Sequence, residues 1–310
     1  LYTSGTTGKP KGAPRTKENS STNAFASALE ALPLHHDDIH LILGPLFHAA
    51  PLAFTHFNSA IGATIVLMDR FDPEQVLRAI SEHRVTTAFM VPTMLHRILG
   101  LPEDTLKAYR LPSLKAIIVA AAPFSAHLKK RALEYFGDVI YEFYGASEIG
   151  INTVATPRDL REKPASVGRG LPAQEIAIMD EEGRRLPPGQ IGELFLRNEQ
   201  TITGYFHNDE ATRKSRRGEF FSVGDLAWVD QDGYVYLAGR KVDMVISGGI
   251  NIYPAEIEEA LLEHPKIGEA AVIGIPDEDW GEALMAFIVP KDRSLTQEEV
   301  LEFCRVRLAP

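Results

Sequence analysis

Residues 2–12 read Tyr-Thr-Ser-Gly-Thr-Thr-Gly-Lys-Pro-Lys-Gly, a composition suited to close contact with a polyphosphate. Gly5, Gly8 and Gly12 carry no Cβ, so the backbone there can take positive φ and bring its N–H groups to phosphate oxygens. Thr3, Ser4, Thr6 and Thr7 add hydroxyl donors, and Lys9 and Lys11 add point charges. A solvated Gly/Ser/Thr linker has much the same composition, but two lysines alternating with Pro10 and Gly12 make a poor linker. The loop is not a Walker A element either. Only two residues separate Gly5 from Gly8, and Pro10 stands where Ser or Thr would hold the metal, so a different nucleotide chemistry is implied.

A second group is Tyr144, Gly145, Ala146, Ser147 and Glu148. A flat aromatic beside a glycine can stack on a purine while backbone groups read its edge. Ser147 and Glu148 offer a hydroxyl and a hard carboxylate for phosphate-bound magnesium. Standing alone, the five residues would equally describe a strand end and a turn. Asp225 is a lone acid in an apolar setting, the usual mark of a turn or cap. His48, beside Phe47 and Leu52, is by composition a core histidine.

Together these stretches resemble the adenylate-forming (AMP-binding) superfamily, whose acyl-CoA ligases, luciferases and nonribosomal-peptide adenylation domains carry a nearly identical phosphate loop. Residues 144–148 resemble its Tyr-Gly-x-Thr-Glu motif, with Ser147 in place of Thr. The resemblance implies that residues 3–9 and Lys11 hold ATP phosphates, that Ala121, Ala122 and Pro123 line adenine, and that Leu237 closes the pocket. It further implies that Asp225 accepts from both ribose hydroxyls, assisted by Arg240, and that Glu148 holds Mg2+. Pro45-Leu46-Phe47-His48 resembles the family's Pro-x-x-His segment, which makes His48 a substrate-side residue gating the acyl tunnel. Ala49 and Ala50 leave room there, and Phe143, often glycine at the matching position, takes room away.

Residues 240–244 resemble the hinge about which the small domain rotates, at Val242 and Asp243. Val242 stands where the family usually has a charge, which leaves Asp243 as the alternative pivot. Residues 247–256 resemble acyl-CoA ligases more closely than peptide-synthetase adenylation domains, implying that Ser247, Gly248 and Gly249 line a path for CoA. The family's adenylating lysine follows a segment like 302–308 and is not among the 310 residues. The expectation is therefore the middle and later part of a longer enzyme. The implied activity is ATP-dependent ligation of a fatty or aryl acid to CoA through acyl-AMP, an acid–thiol ligase using ATP, CoA and Mg2+. Its rivals are an adenylation domain that loads a carrier protein and a nucleotide-binding module without turnover.

The elements that must position these residues follow from periodicity. Helices are expected over 24–32, 54–61, 72–84, 92–101 and 125–137, alternating with apolar strands over 39–44, 64–68, 86–91, 115–120 and 139–144. Apolar strands separated by amphipathic helices describe an α/β fold, a parallel sheet flanked by helices, with ligands at the carboxyl ends of the strands. Short alternating strands over 175–179, 192–197, 220–222, 226–229 and 234–238 describe a small antiparallel β subdomain within 165–238. The acids at 230–233 resemble a calcium loop superficially and read instead as a hairpin turn. Residues 1–240 form the expected large domain. Residues 241–310 form a small, mobile α+β C-terminal domain, with strands over 244–247, 269–274 and 284–289 and helices over 254–262 and 297–308.

A formal net charge of -10 argues against a nucleic-acid partner, which clustered Lys and Arg would bind. Arg213, Lys214, Arg216 and Arg217 read as a solvated face. Cys304 is the only cysteine, which rules out an intrachain disulfide within the sequence and fits a reducing, cytoplasmic compartment. No run approaches the ~18 apolar residues of a membrane span.

Overall fold

The computed structural model describes residues 2–3, 11–14, 27, 30–172 and 174–308. Ser4, Gly5, Thr6, Thr7, Gly8 and Lys9 lie outside them, as does most of the expected helix over 24–32. Two compact units are present. One comprises Leu1–Ala177, Phe195–Val223 and Asp230–Tyr236; the other comprises Ile178–Leu194, Gly224–Val229 and Leu237–Pro310.

The first unit opens with a short antiparallel pair, β1 (Tyr2–Thr3) and β2 (Lys11–Gly12), which brackets the phosphate-loop residues. Its main sheet has seven strands. Five are parallel: β3 (Ile39–Ile42), β4 (Thr64–Leu67), β5 (Thr87–Met90), β6 (Ala116–Val119) and β7 (Ile140–Ala146), in spatial order β4-β3-β5-β6-β7. The antiparallel strands β8 (Gly150–Ala155) and β9 (Arg169–Gly170) complete it beside β7. Helices α1 (Ala49–Ile61), α2 (Pro73–Glu82), α3 (Pro92–Leu99), α4 (Glu103–Ala108) and α5 (Ala126–Phe136) join the parallel strands. α2 begins where its sequence dictates: Asp72 accepts from the Gln75 N–H and Pro73 fills a position that needs no N–H partner. One apolar core packs Leu41, Leu77, Ile80, Leu95 and Val119, and a separate one packs Ile42, Phe54, Phe89 and Ile118. Residues of opposite parity on each strand supply the two cores, as the pleat requires.

Several elements go beyond the sequence pattern. α1 starts at Ala49 rather than 54, because Pro51 falls in its first turn, where proline is tolerated. Strand β8 begins at a left-handed glycine and carries buried Asn152 and Thr153, so it lacks the apolar run that marks a strand. α6 (Pro157–Glu162) is a six-residue helix set by a capping box between Thr156 and Asp159.

His40, rather than His48, is the core histidine. It is fully buried on β3, its Nδ1 2.8 Å from the Thr87 hydroxyl, its ring stacked on Phe54 at 5.9 Å, and its Nε2 without a hydrogen-bond partner. Burial brings its pKa down to about 4, against the opposing pull of Asp38. The unfolded chain takes up this proton near pH 6.5 and the folded chain resists it to about 4, so stability is lost as pH falls through that window. The loss amounts to ~3 kcal/mol by linkage. Urea titrations of wild type and His40→Phe from pH 7 to 4 isolate it; parallel curves would refute it.

Further along the first unit, Leu196 pairs with Phe221, and α7 (Asp209–Ser215) runs into the Arg216–Arg217 and Phe220–Phe221 hairpin. In α7 Lys214 pairs with Glu210 at 2.7 Å, as expected of a solvated basic face. The acids at 230–233 form a hairpin turn whose carboxylates are satisfied within the unit. Asp230 accepts from the N–H groups of Asp232 and Tyr234, and Lys163 pairs with Asp230 at 2.9 Å.

In the second unit Gly192 and Glu193 pair with Ala227 and Leu226. Its C-terminal part is a four-stranded antiparallel sheet. Val245–Ser247, Ile250–Ile252, Ile267–Asp277 and Gly281–Pro290 supply the strands, and the helices Pro254–Leu262 and Gln297–Arg307 accompany them. Leu261, Ile267, Val272 and Val300 form its core.

Candidate functional site

Parallel strands β6 and β7 are hydrogen-bonded neighbours in the register Val119↔Glu142. Their carboxyl ends therefore carry two of the expected stretches side by side, 121–123 and 144–148. Ala121, Ala122 and Pro123 are exposed. Ala121 has φ +72°, a left-handed conformation that costs an alanine about 1–2 kcal/mol and marks a position held by its surroundings.

At the end of β7 the ladder is irregular between Tyr144 and Gly145. A Cβ on Gly145 would lie 2.3 Å from the Gly150 carbonyl oxygen, so the glycine is required by the close approach of β8. Tyr144 is nearly buried, Ala146 and Ser147 are half-buried, and Glu148 is 6% exposed. Glu148 Oε1 accepts from the Tyr205 hydroxyl at 3.0 Å, and its main-chain carbonyl accepts from Ile202 at 2.9 Å. Asn198 braces the same turn, donating to the Ile149 carbonyl and to Asn152 Oδ1, each at 2.8 Å.

Tyr205 also meets the phosphate-loop hairpin, with the Lys11 ammonium 5.0 Å from its ring centroid. The next N–H, of Phe206, donates to the Gly12 carbonyl at 2.9 Å. Burial, then the neighbouring Glu148 carboxylate, drive the Tyr205 phenol pKa upward, so it stays a hydrogen-bond donor. Sequence reasoning missed Tyr205. It lies 57 residues from Glu148, and a Gly-Tyr-Phe run carries no local chemical signal.

His48 is exposed at the N-cap of α1, its ring 4.4 Å from that of Phe47. Beyond it, Phe54, Phe57, Phe89 and Phe143 form one aromatic group with centroids 5.0–6.4 Å apart.

Within the second unit, Asp225 opens the strand Asp225–Val229 directly after Gly224, and Arg240 ends the strand Val235–Arg240. The Arg240 Nε is 3.6 Å from Asp225 Oδ1, and the Lys241 N–H donates to the Gly224 carbonyl at 2.8 Å. The Asp225 side chain is 15% exposed. Leu237 is exposed. Residues 240–243 form a tight turn in which the Asp243 N–H donates to the Arg240 carbonyl. Val242 on that turn is 64% exposed, where an apolar side chain would be expected to favour burial.

Ser247 pairs with Ile250 across Gly248 and Gly249, whose φ values of +57° and +83° make a two-residue hairpin turn of the type that glycine pairs favour. A Cβ on Gly248 would fall 2.6 Å from the Trp280 ring.

Among the described residues no cluster of three or more His, Cys, Asp or Glu could hold a metal. Glu148 is a single hard carboxylate, and it fits an ion such as magnesium that takes one or two carboxylates and draws its other ligands from bound phosphates and water.

Residues 1–206 match the family model for the AMP-binding enzyme, and residues 256–310 match that for the AMP-binding enzyme C-terminal domain. A 2-succinylbenzoate–CoA ligase of Bacillus licheniformis is 38% identical over 312 residues, covering 100% of this chain and 63% of the relative. A feruloyl-CoA synthase of Amycolatopsis gives the same figures. Among solved structures, the amide bond synthetase McbA of Marinactinospora thermotolerans superposes with a TM-score of 0.91 at 31% identity, over 99% of this chain and 62% of that one. The o-succinylbenzoate CoA synthetase of Bacillus subtilis, in complex with an acyl-adenylate, gives 0.87 at 34%, over 100% and 62%. The chain thus spans slightly less than two thirds of the length of these relatives. With both family models matched in order and the fold shared with these structures, the chain belongs to the AMP-binding enzyme family.

Proposed function

We propose that the protein is an ATP-dependent carboxylic acid:CoA ligase acting on an aryl acid through an acyl-AMP intermediate. The observation that carries this reading is the 38% identity, across the whole chain, to relatives named as CoA ligases and synthases of two aromatic acids. Phe57 and Phe143, half-buried at the edge of the core that holds Phe54 and Phe89, support an aryl over a fatty acyl group, since flat rings pack well on aromatic edges and faces.

In the first half-reaction a substrate carboxylate oxygen attacks the α-phosphorus of ATP and pyrophosphate leaves. The residues of the 2–12 loop bind the β- and γ-phosphates, Ala121–Pro123 and Tyr144 take the purine, and Asp225 accepts from the ribose hydroxyls with Arg240 beside it. Glu148 would hold Mg2+, which supplies positive charge to phosphate oxygens. His48 stands on the acid's side. In the second half-reaction the CoA thiolate attacks the acyl carbon, its new C–S bond replaces the bond to AMP, and AMP leaves. The turn at 240–243 is the proposed pivot between the two, at Val242 or Asp243, and dividing the chain there gives the proposed domains 1–240 and 241–310. Ser247, Gly248 and Gly249 border the thiol arm in this reading.

The test is carboxylate-dependent pyrophosphate release by the full-length protein over aryl, fatty and amino acids, with and without CoA. Aryl-CoA formation is expected. Acyl-AMP formation without any CoA thioester would move the acceptor to a carrier protein, or to an amine as the named activity of McbA suggests. No pyrophosphate release with any acid would leave a nucleotide-binding module.

Asp225→Ala is expected to weaken ATP and AMP binding about tenfold or more, since hydrogen bonds to a charged acceptor contribute ~1.5–3 kcal/mol each. Unchanged AMP affinity by calorimetry would remove Asp225 from the nucleotide site.

A further inference from the structure

The Tyr205 phenol joins two parts of the first unit that the sequence leaves far apart. Its hydroxyl donates to Glu148 Oε1 at 3.0 Å. Its ring face receives the Lys11 ammonium at 5.0 Å, while its edge packs on Phe221 with centroids 5.6 Å apart. The main chain repeats the connection, because the Phe206 N–H bonds the carbonyl of Gly12. A carboxylate as buried as that of Glu148 needs hydrogen-bond donors, and the Tyr205 hydroxyl supplies one.

We propose that Tyr205 is a positioning residue. Its hydroxyl holds the Glu148 carboxylate in one orientation for the cation that accompanies a nucleoside triphosphate, and its ring seats Lys11 at the foot of the phosphate loop. The proposal rests on the ligase reading for the identity of the ligand; the contacts themselves do not depend on it.

The two contacts use different parts of one side chain, so they can be removed separately. Tyr205→Phe deletes the hydroxyl and keeps the ring under Lys11 and against Phe221. Tyr205→Leu deletes both. Calorimetric titration of the full-length protein with ATP, once with Mg2+ and once with EDTA, reads them apart, and carboxylate-dependent ATP–pyrophosphate exchange runs beside it. Tyr205→Phe is expected to lose about tenfold in ATP affinity with Mg2+ and less than about twofold in EDTA. Tyr205→Leu is expected to lose affinity in both conditions, by about threefold in EDTA. Recovery by phenylalanine in EDTA alone is a signature that loss of packing does not produce.

Equal losses in both conditions, or no loss in Tyr205→Phe, would overturn the assignment. Magnesium-dependent ATP binding without exchange would overturn the ligase reading while the calorimetry still decides Tyr205. No ATP binding by the wild type in either condition would overturn both.

Discussion

Replacing Glu148 with glutamine is expected to lower carboxylate-dependent pyrophosphate release by about 100-fold to 1,000-fold, the scale seen when one electrostatic contact to a transition state is lost. The substitution is nearly isosteric, and its amide oxygen can still accept from Tyr205, 3.0 Å from the present carboxylate. What disappears is a full negative charge on a side chain that is 6% exposed, where water cannot replace it. The loss should shrink as magnesium is raised, because a neutral oxygen still binds the ion, only more weakly. Initial rates across a magnesium series check both statements. An undiminished rate at limiting magnesium would take Glu148 out of the metal's coordination.

Lys129→Met is expected to destabilise the first unit by ~3–5 kcal/mol. Lys129 on α5 and Glu142 on β7 form an ion pair of 2.7 Å with side chains 2% and 5% exposed, and the ammonium also donates to the Ser166 carbonyl at 3.0 Å. Burial raises the Glu142 carboxyl to about 6 in spite of the neighbouring ammonium. Removing the lysine strands both the carboxylate and the carbonyl. The double variant Lys129→Met/Glu142→Leu should recover most of the loss, since apolar replacement of a whole buried pair is often neutral. Urea denaturation of the three proteins decides it. A single variant within about 1 kcal/mol of wild type would show that the pair is not holding the helix to the sheet.

The parallel sheet was legible because its strands are continuous apolar runs between helices with ordinary caps, such as Asp72 before Pro73. Strand β8 was not, because its buried Asn152 and Thr153 are satisfied by side-chain bonds that only the folded neighbourhood supplies. The same division holds at the site. Residues 144–148 were singled out through their resemblance to a family motif, since by type and spacing alone they describe a strand end and a turn, and β6 and β7 set them beside 121–123. Tyr205 was not, because its role comes from where its hydroxyl and ring lie, and phenols occur throughout the chain. Gly145 was read as leaving the backbone open to a base, yet its local necessity is the carbonyl of Gly150. Val242 shows a related limit. Apolar character suggested a buried leaning, and a turn placed it in solvent.

Strand β7 packs three duties into consecutive residues. Glu142 anchors a helix, Phe143 faces the aromatic group on the opposite side of the pleat, and Tyr144 leads into the turn bearing Glu148. On the proposed ligase reading, this strand is a poor place for indiscriminate randomisation toward new acids. A library spread over 140–148 would lose most of its members to misfolding before selectivity was ever sampled, whereas diversity confined to the half-buried Phe143 and Phe57 leaves the anchor, the turn and the buried Phe54 intact.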